Sequence, residues 1–333
     1  MDMRFTKLIS AVFVTTFLFM GTQQLYAQQA PKYTHYMFNK LIYNPGYAGM
    51  NRQFMCATFL LHNQWAGFSG TQGEYSGIAP QTQTFSFNAP IPSANPNSIL
   101  SGLGLNIVND LIGYEYTTSA NVVFSLKRHF SFGTLQLGLN GGMIQRGINN
   151  TYWRYPDSQN DPRIASGEFQ SMIPDAGVGL YLFSPNKYYV GISGQHIIGG
   201  TFVWGGPENT LVPVYYVTAG YSFILPANPD IELQPSFLYK VDPGKNQFDI
   251  NTNLIYKERF WAGLQYRQGA AVSALLGMRL TPQLMFGYSF DVTTNELRKY
   301  SSGTHEVFIR YCFTIKTTER IIIPNIIWTP RYM

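Results

Sequence analysis

Charged side chains are scarce in this sequence of 333 residues. Asp, Glu, Lys and Arg make up 12% of the chain, against ~25% in soluble proteins. The formal net charge is only +5, and no block of Lys or Arg stands out, so the sequence gives no indication of nucleic-acid binding. Two cysteines exclude a disulfide scaffold and any Cys-rich zinc or iron–sulfur site.

Long hydrophobic runs are also missing from most of the chain. Beyond residue 50, no stretch approaches the ~20 apolar residues of a transmembrane helix, and helical periodicity is rare. The N-terminus is the exception, because Arg4 and Lys7 precede an apolar run over residues 8–20, and a small residue, Ala27, follows. This pattern predicts a signal peptide over residues 1–27. The alternative, an N-terminal membrane anchor, needs a longer run.

Aromatic residues and period-two alternation dominate the remainder. Aromatic residues make up 16% of the chain. Residues 247–257 show the pattern, with Phe248, Ile250, Thr252, Leu254 and Tyr256 on one face and with Gln247, Asp249, Asn251, Asn253 and Lys257 on the other. Such alternation is typical of β-strands that separate an apolar from a polar environment.

Fourteen segments of this kind follow one another, each bounded by Gly, Pro, Asn or Asp. An even number of strands, each long enough to cross a bilayer, predicts an all-β fold: a closed antiparallel 14-stranded outer-membrane β-barrel over residues 53–314. A soluble β-sandwich or propeller would carry more Lys and Glu on its outer faces. The predicted strands begin near Gln53, Thr82, Ser101, Tyr114, Thr134, Asp175, Lys187, Val214, Asp230, Gln247, Phe260, Ala271, Gln283 and His305.

The lengths of the connections predict the orientation of the barrel. Every second connection is mostly short, whereas the others include the long stretches 62–81, 147–174, 196–213 and 291–304. Short turns are periplasmic and long loops external in outer-membrane barrels. We therefore expect both termini in the periplasm, together with a C-terminal tail over residues 315–333.

The two cysteines provide a geometric test of this strand count. Cys56 is early in the first predicted strand and Cys312 is late in the last one. Because a closed barrel pairs these strands, the two Cα atoms should be close, at the periplasmic end. Residue parity turns both side chains inward, together with Thr58 and Arg310. A disulfide is compatible with an oxidising periplasm, but the sequence leaves the bond open.

Several short motifs carry a resemblance to a known family. Residues 35–39 read His-Tyr-Met-Phe-Asn, residues 43–49 read Tyr-Asn-Pro-Gly-Tyr-Ala-Gly, residues 64–70 read Gln-Trp-Ala-Gly-Phe-Ser-Gly, and residues 287–291 read Gly-Tyr-Ser-Phe-Asp. In this order and spacing they resemble the PorP/SprF family of Bacteroidetes outer-membrane proteins. Two departures are Gly46, where the family usually has Ala, and the middle of the tail after residue 315.

The resemblance implies a non-enzymatic component of the type IX secretion and gliding apparatus. Its expected partners are a secreted surface adhesin with a C-terminal sorting domain, which it would anchor or help export, and subunits of the periplasmic secretion core. Membrane lipid would surround the barrel. The alternative is an uptake channel for small or hydrophobic solutes, which would need an apolar inner path.

Three stretches are candidate functional regions. Residues 28–52 are rich in Tyr, Asn, Gly and Pro, and large barrels conduct unless they are filled, so Asn44, Pro45, Tyr47 and Gly49 are predicted to shape a plug in or under the lumen. Exposed Trp, Tyr and Arg are frequent binding anchors. The predicted external loops therefore contribute the partner-binding candidates Trp153, Arg154, Tyr155, Arg163, Arg298 and Tyr300.

Catalytic and cofactor motifs are not evident. None of the five histidines has the spacing of a local metal site, and no nucleophile elbow, Walker loop or dinucleotide motif occurs. We therefore expect no catalytic residues, no metal and no cofactor. A lipid-active enzyme is disfavoured because it would need a Ser, a His and an Asn or acid to converge.

Overall fold

The computed structural model describes residues 30–51, 53–68, 79–92, 99–148, 169–185, 187–203, 209–242, 244 and 246–315. Its main feature is one antiparallel sheet that closes on itself. The strands are β1 (Phe54–Asn63), β2 (Gln81–Pro90), β3 (Leu100–Ile112), β4 (Glu115–Phe130), β5 (Gly133–Ile148), β6 (Phe169–Ser184), β7 (Tyr188–Gln195), β8 (Gly200–Phe202), β9 (Asn209–Leu211), β10 (Val214–Tyr221), β11 (Phe223–Leu225), β12 (Asn228–Val241), β13 (Gln247–Tyr256), β14 (Phe260–Arg267), β15 (Ala271–Arg279), β16 (Leu284–Thr293) and β17 (Thr304–Thr314).

Fourteen strand positions form the ring, which confirms the predicted barrel. Each strand pairs with its neighbours in sequence, and β1 closes the ring by pairing with β17. The eighth position is divided between β10 and β11, and both pair with β12. This division faces Pro235 of β12, which has no N–H to donate to the neighbouring strand. The short β8–β9 hairpin forms a separate sheet, within a connection that the sequence predicted to be a loop.

The predicted strand starts agree closely with the observed ones, apart from β6. We expected this strand to begin near Asp175, after Pro174, but it begins at Phe169. The prediction was wrong because it treated Pro174 as a strand breaker. Pro174 pairs with Met143 of β5, whereas pairing with β7 begins only at Val178, so the missing N–H costs no ladder bond at that edge.

The two faces of the barrel differ in polarity. Large apolar side chains point outward, and Leu264 is 68% exposed. Polar side chains point inward, and Asn251, Ser273 and Ser289 are fully buried. Water would disfavour such a continuous apolar outer surface, whereas lipid accommodates it, and the closed ring satisfies the strand backbones. The chain is therefore an outer-membrane barrel. Among the described residues, no helix is both long and apolar enough to cross a bilayer.

The two ends of the barrel differ in their connections and in the position of the disulfide. The disulfide end has the connections 91–99, 131–132, 185–187, 226–227, 257–259 and 280–283, and the loop end has 64–80, 113–114, 149–168, 196–213, 242–246, 268–270 and 294–303. The long connections cluster at the loop end, as the sequence predicted. Which end faces the periplasm stays a prediction.

A disulfide joins Cys56 and Cys312 across the seam between β1 and β17. The two residues are direct register partners with Cα atoms 4.1 Å apart, so the predicted proximity is confirmed. The inward parity is also confirmed, because Thr58 and Arg310 are buried and the Arg310 guanidinium donates to the Thr58 hydroxyl over 2.9 Å. The bond that the sequence left open is therefore present.

Candidate functional site

The N-terminal segment, residues 30–51, is the most deeply buried part of the chain that lies outside the sheet. It contains one helical turn, α1 (Lys40–Tyr43), and a 3-10 turn, Pro45–Tyr47. Asn44 joins the two turns. Its side-chain oxygen accepts a hydrogen bond from the Gly46 N–H over 2.8 Å, and Pro45 occupies the first position of the turn, where its fixed φ angle fits.

Glycines let this turn approach the barrel wall. A Cβ at Gly138 of β5 would lie 2.1 Å from the carbonyl carbon of Pro45, and one at Gly179 of β6 would lie 2.2 Å from the Asn44 side-chain oxygen. Gly49 has φ +67°, and a Cβ there would lie 2.3 Å from the Ser101 carbonyl oxygen. Glycine in a strand interior leaves room for another backbone to approach closely, and Gly138 is used in this way.

Side chains of the wall pair with the backbone of the segment. The Asn106 amide donates to the Leu41 carbonyl, the Ser193 hydroxyl to the Tyr43 carbonyl and the Ser125 hydroxyl to the Ala48 carbonyl. In the opposite direction, the Asn44 amide donates to the carbonyls of Leu180 and Ile192 over 2.9 and 3.3 Å. Irregular backbone can stay buried only when its polar groups are satisfied, and these inward-facing residues satisfy them.

Glu306 of β17 is the centre of a second set of contacts. Its carboxylate accepts hydrogen bonds from the backbone N–H groups of Thr34 and His35, over 2.8 and 2.6 Å. The Nδ1 atoms of His35 and His62 each lie 2.7 Å from the same carboxylate. Glu306 is fully buried, and burying a carboxylate is costly unless several donors surround it. The N-terminal segment provides three of these four contacts.

Arg267 of β14 forms a neighbouring charged cluster. Its guanidinium lies 3.1 Å from Asp249 and 3.4 Å from Asp291, and it donates to the Tyr33 carbonyl over 3.2 Å. The Thr34 hydroxyl donates to Asp291 over 2.7 Å. The inner wall therefore holds residues 33–35 with a network of charged groups near the loop end.

Aromatic rings fill the space between these polar contacts. Phe38 packs against Trp261 and Phe308, with ring centroids 5.1 Å away in both cases. Tyr43 packs edge-on against Tyr216 at 5.2 Å. Such aromatic pairs stabilise packing beyond apolar burial alone, so they help to hold Phe38 and Tyr43 against the wall.

The contacts reach strands around the whole ring. Residues of the segment hydrogen-bond to β2, β3, β4, β6, β7, β12, β14, β16 and β17. These contacts join the segment to strands on opposite sides of the closed ring, and its predicted packing in or under the lumen stays a prediction. Ala30 lies near the loop end, 3.4 Å from Lys240 Nζ, and Ile315 pairs with Gln53 at the disulfide end. Ala30 and Ile315 therefore lie at opposite ends of the barrel, and the predicted location of both termini in the periplasm stays a prediction.

The residues predicted from sequence fall into two groups. Asn44, Pro45, Tyr47 and Gly49 are brought together and are buried. Arg298 lies in a 3-10 turn, Glu296–Lys299, at the loop end, and Tyr300 follows with 66% exposure. The remaining loop candidates, Trp153, Arg154, Tyr155 and Arg163, lie outside the described residues.

Sequence reasoning missed the charged contacts of the lumen. It placed Asp249 on the inward face of its strand, but it tested the histidines only for metal-ligand spacing. A usable signal was available, because Glu306 and His62 fall at inward parity in the two strands that close the ring, where they are direct register partners. Among the described residues, no group of three or more His, Cys, Asp or Glu could hold a metal ion.

Comparison with known proteins identifies the family. A family model described as "Type IX secretion system membrane protein PorP/SprF" matches residues 25–311. The chain belongs to the PorP/SprF family. It is therefore a membrane component of the type IX secretion system. No curated protein matches it.

Solved structures with a similar arrangement are other outer-membrane barrels. Omp33 of Acinetobacter baumannii is 9% identical, with a TM-score of 0.44, over 80% of this chain and 100% of that chain. The CymD monoaromatic hydrocarbon channel is 10% identical, with a TM-score of 0.44, over 84% and 94%. A Pseudomonas aeruginosa FadL homologue is 10% identical, with a TM-score of 0.40, over 85% and 94%.

Proposed function

We propose that this PorP/SprF protein is a non-enzymatic outer-membrane anchor that binds a secreted surface adhesin and holds it at the membrane or helps its export. The observation that carries the proposal is the family match over residues 25–311. In this proposal the adhesin binds through its C-terminal sorting domain, and the periplasmic secretion core is a second partner.

The polar inner wall and its contacts with the N-terminal segment favour an anchor over an uptake channel. A channel for hydrophobic solutes needs an apolar inner path, whereas the inner wall presents residues such as Gln265, Asn251 and Ser273. The N-terminal segment also engages this wall with hydrogen bonds and charged groups that a passing solute would have to break. A barrel that is closed in this way is suited to present a surface, because its loops can bind a partner while the lumen stays sealed.

The loop end is the proposed adhesin surface. Tyr300 and Arg298 are exposed there beside the ion pair of Lys299 and Glu296, whose atoms are 3.1 Å apart. An aromatic ring next to a guanidinium combines apolar contact area with directional hydrogen bonding, which is typical of residues that dominate binding energy. Trp153, Arg154, Tyr155 and Arg163 stay as further candidates for the same surface. The tail over residues 315–333 is the proposed contact with the periplasmic core.

Co-purification from native outer membranes tests this function. The chain, tagged and extracted in mild detergent, is expected to bring down a large surface protein together with secretion-core subunits, identified by mass spectrometry. A double variant, Arg298→Glu with Tyr300→Ala, should lose the surface protein but keep the core subunits. Deletion of residues 316–333 should have the opposite effect.

A matched control separates binding from charge alone. Lys257→Glu reverses a charge that is also exposed, but at the disulfide end, and it should leave recovery of the surface protein unchanged. Recovery of the barrel alone, in detergent that preserves other membrane complexes, would contradict the anchor and support the solute channel.

A further inference from the structure

A cavity of ≈90 Å³ lies between the N-terminal segment and the inner wall formed by β3 to β7. Tyr33 and Tyr43 border it on one side, and Asn106, Asn121, Asn140 and Asp175 border it on the other. One water needs roughly 10–15 Å³ by this type of measure, so the cavity has room for a small organic group.

Four buried oxygen atoms on this wall have no hydrogen-bond donor among the described residues. They are the side-chain Oδ1 atoms of Asn106, Asn121 and Asn140 and the Oδ2 atom of Asp175. The orientation of two of these amides is fixed, because the Asn106 Nδ2 donates to the Leu41 carbonyl and the Asn140 Nδ2 donates to Gln195. Asp175 uses its other oxygen to pair with His196 at 2.9 Å. Buried acceptors without a donor are costly, so this wall is incomplete by itself.

The strand register places three of these residues in one row. Asn106 is the register partner of Asn121, Asn121 is that of Gly142, and Gly142 is that of Asp175. All three polar side chains are more than nine-tenths buried. Gly142 contributes no side chain to the row, and the Asn121 oxygen takes the space there, because a Cβ at Gly142 would lie only 2.4 Å from it. The result is a row of acceptor oxygens across four strands, with open space before it.

The charges and rings around the cavity specify the missing donor. Asp110 and Asp175 are two carboxylates at its edge, whereas the cation Arg146 is already paired with Glu115 at 2.6 Å. The rings of Tyr33, Tyr43 and Tyr216 line the other side, and aromatic faces attract cations. A group with several N–H donors and a positive charge matches both walls.

We propose that this cavity is a binding site for a primary ammonium group, which donates its N–H bonds to the row of oxygens on Asn106, Asn121 and Asp175. Two sources offer this chemistry, a free aliphatic amine or a lysine side chain of a protein bound at the loop end. Only the second source depends on the proposed anchor function, because the residues of the site belong to the inner wall and not to the loop surface.

Calorimetric titration of the purified full-length chain in detergent tests the proposal. 1,5-Diaminopentane is expected to bind saturably. Its analogue with both nitrogens trimethylated has the same charge and chain but no N–H bonds, and it should bind at least about tenfold more weakly, since every hydrogen bond is lost. A peptide, acetyl-Gly-Lys-Gly-amide, titrated against its norleucine counterpart, distinguishes the sources. Binding of the lysine peptide supports a protein side chain, and binding of the diamine alone supports a free amine.

Matched variants locate the binding in this cavity. Asn121→Leu and the isosteric Asp175→Asn should each weaken binding of the diamine by about tenfold. Asn109→Leu is the control, because Asn109 is on β3 near Asn106 but has the opposite parity and bonds to Thr118. Asp175→Asn keeps the side-chain shape, so it serves if Asn121→Leu fails to fold. Absence of saturable binding would overturn the proposal and mean that the cavity holds only water. Equal binding of the trimethylated analogue would overturn it because N–H donation would not be needed, and full binding by a folded Asp175→Asn chain would overturn it because the row of oxygens would not be the site.

Discussion

The two halves of the N-terminal segment are held in the barrel by different chemistry. The first half, residues 30–38, meets the wall through charged groups, above all the carboxylate of Glu306 and the guanidinium of Arg267. The second half, residues 39–51, meets it through neutral hydrogen bonds to its backbone and through the close approach of Gly138 and Gly179. One half depends on a few strong contacts, and the other depends on many weak contacts and on shape.

The difference predicts how each half responds to a single substitution. A neutral hydrogen bond contributes ~0.5–1.5 kcal/mol, whereas one to a charged group contributes ~1.5–3 kcal/mol. Loss of one hydroxyl in the second half is therefore tolerable, but an added atom is not, because a backbone in contact with backbone cannot move aside. In the first half, stability should depend more on the charge and acceptor atoms of Glu306 than on the volume of its side chain.

Gly138→Ala should have the largest effect. The new Cβ would lie 2.1 Å from the Pro45 carbonyl carbon, so the second half must leave the wall. We expect a loss of at least about 3 kcal/mol of stability, the upper range for overpacking, and a higher ion conductance in planar bilayers than that of the wild-type chain. Urea unfolding in micelles and single-channel recording measure the two effects.

The control for this substitution is Gly141→Ala on the same strand. A Cβ there meets no atom within 4 Å, because Gly141 faces outward, and both the unfolding midpoint and the conductance should stay at wild-type values. Equal behaviour of the two variants would show that the glycine contact does not hold the second half.

Glu306→Gln should have the next largest effect, on the first half alone. The amide keeps the shape but provides one acceptor oxygen in place of a carboxylate, and its N–H₂ group points at donors. Removing one partner from a buried charged contact costs about 3–5 kcal/mol, and we place this variant at the lower end because the Gln oxygen still accepts. Faster proteolysis of the segment at residues 30–38, with the barrel intact, is the expected readout.

Glu296→Gln is the matched control, because this carboxylate is 92% exposed and forms its ion pair with Lys299 on the surface. It should change neither the unfolding midpoint nor the rate of proteolysis. If Glu306→Gln behaved in the same way, the charged contact would be incidental to the position of the segment.

The sequence predicted the strands of the barrel well, but it did not predict the charged contacts on the inner wall. Alternation fixed thirteen strand starts to within two residues because each strand separates lipid from a polar interior, and that boundary leaves a period of two in the sequence. The exception is the start of β6, which was predicted after Pro174. A sequence does not show where a strand extends beyond its neighbour, as β6 does beyond β7.

The plug residues and the charged contacts differ in the same respect. Asn44, Pro45 and Gly49 leave a local turn signature, so the sequence alone could predict a turn at these residues, whereas their role as a plug stays a prediction. The pairing of His35 with Glu306 spans most of the chain and has no local pattern. Only the register of β1 against β17 brings Glu306 to His62, and the predicted strand order contained that register without our using it.

Lys40→Met should have the smallest effect, although Lys40 is buried. Its Nζ lies 3.7 Å from the centre of the Tyr189 ring, and no carboxylate forms an ion pair with it among the described residues. Replacing a buried cation with an apolar side chain of similar volume removes a desolvation cost while it loses a cation–π contact of ~0.5–2 kcal/mol. We expect a change in unfolding free energy of less than about 1 kcal/mol, of either sign.

Urea unfolding of Glu306→Met and of Lys40→Met compares the two halves of the segment directly. Both variants replace a buried charge with the same side chain, but Met at position 306 leaves the N–H groups of Thr34 and His35 without their acceptor. Glu306→Met should therefore lower the free energy of unfolding several times more than Lys40→Met does. Equal losses would mean that charge burial, and not the pairing of donors with an acceptor, sets how firmly the wall holds each half.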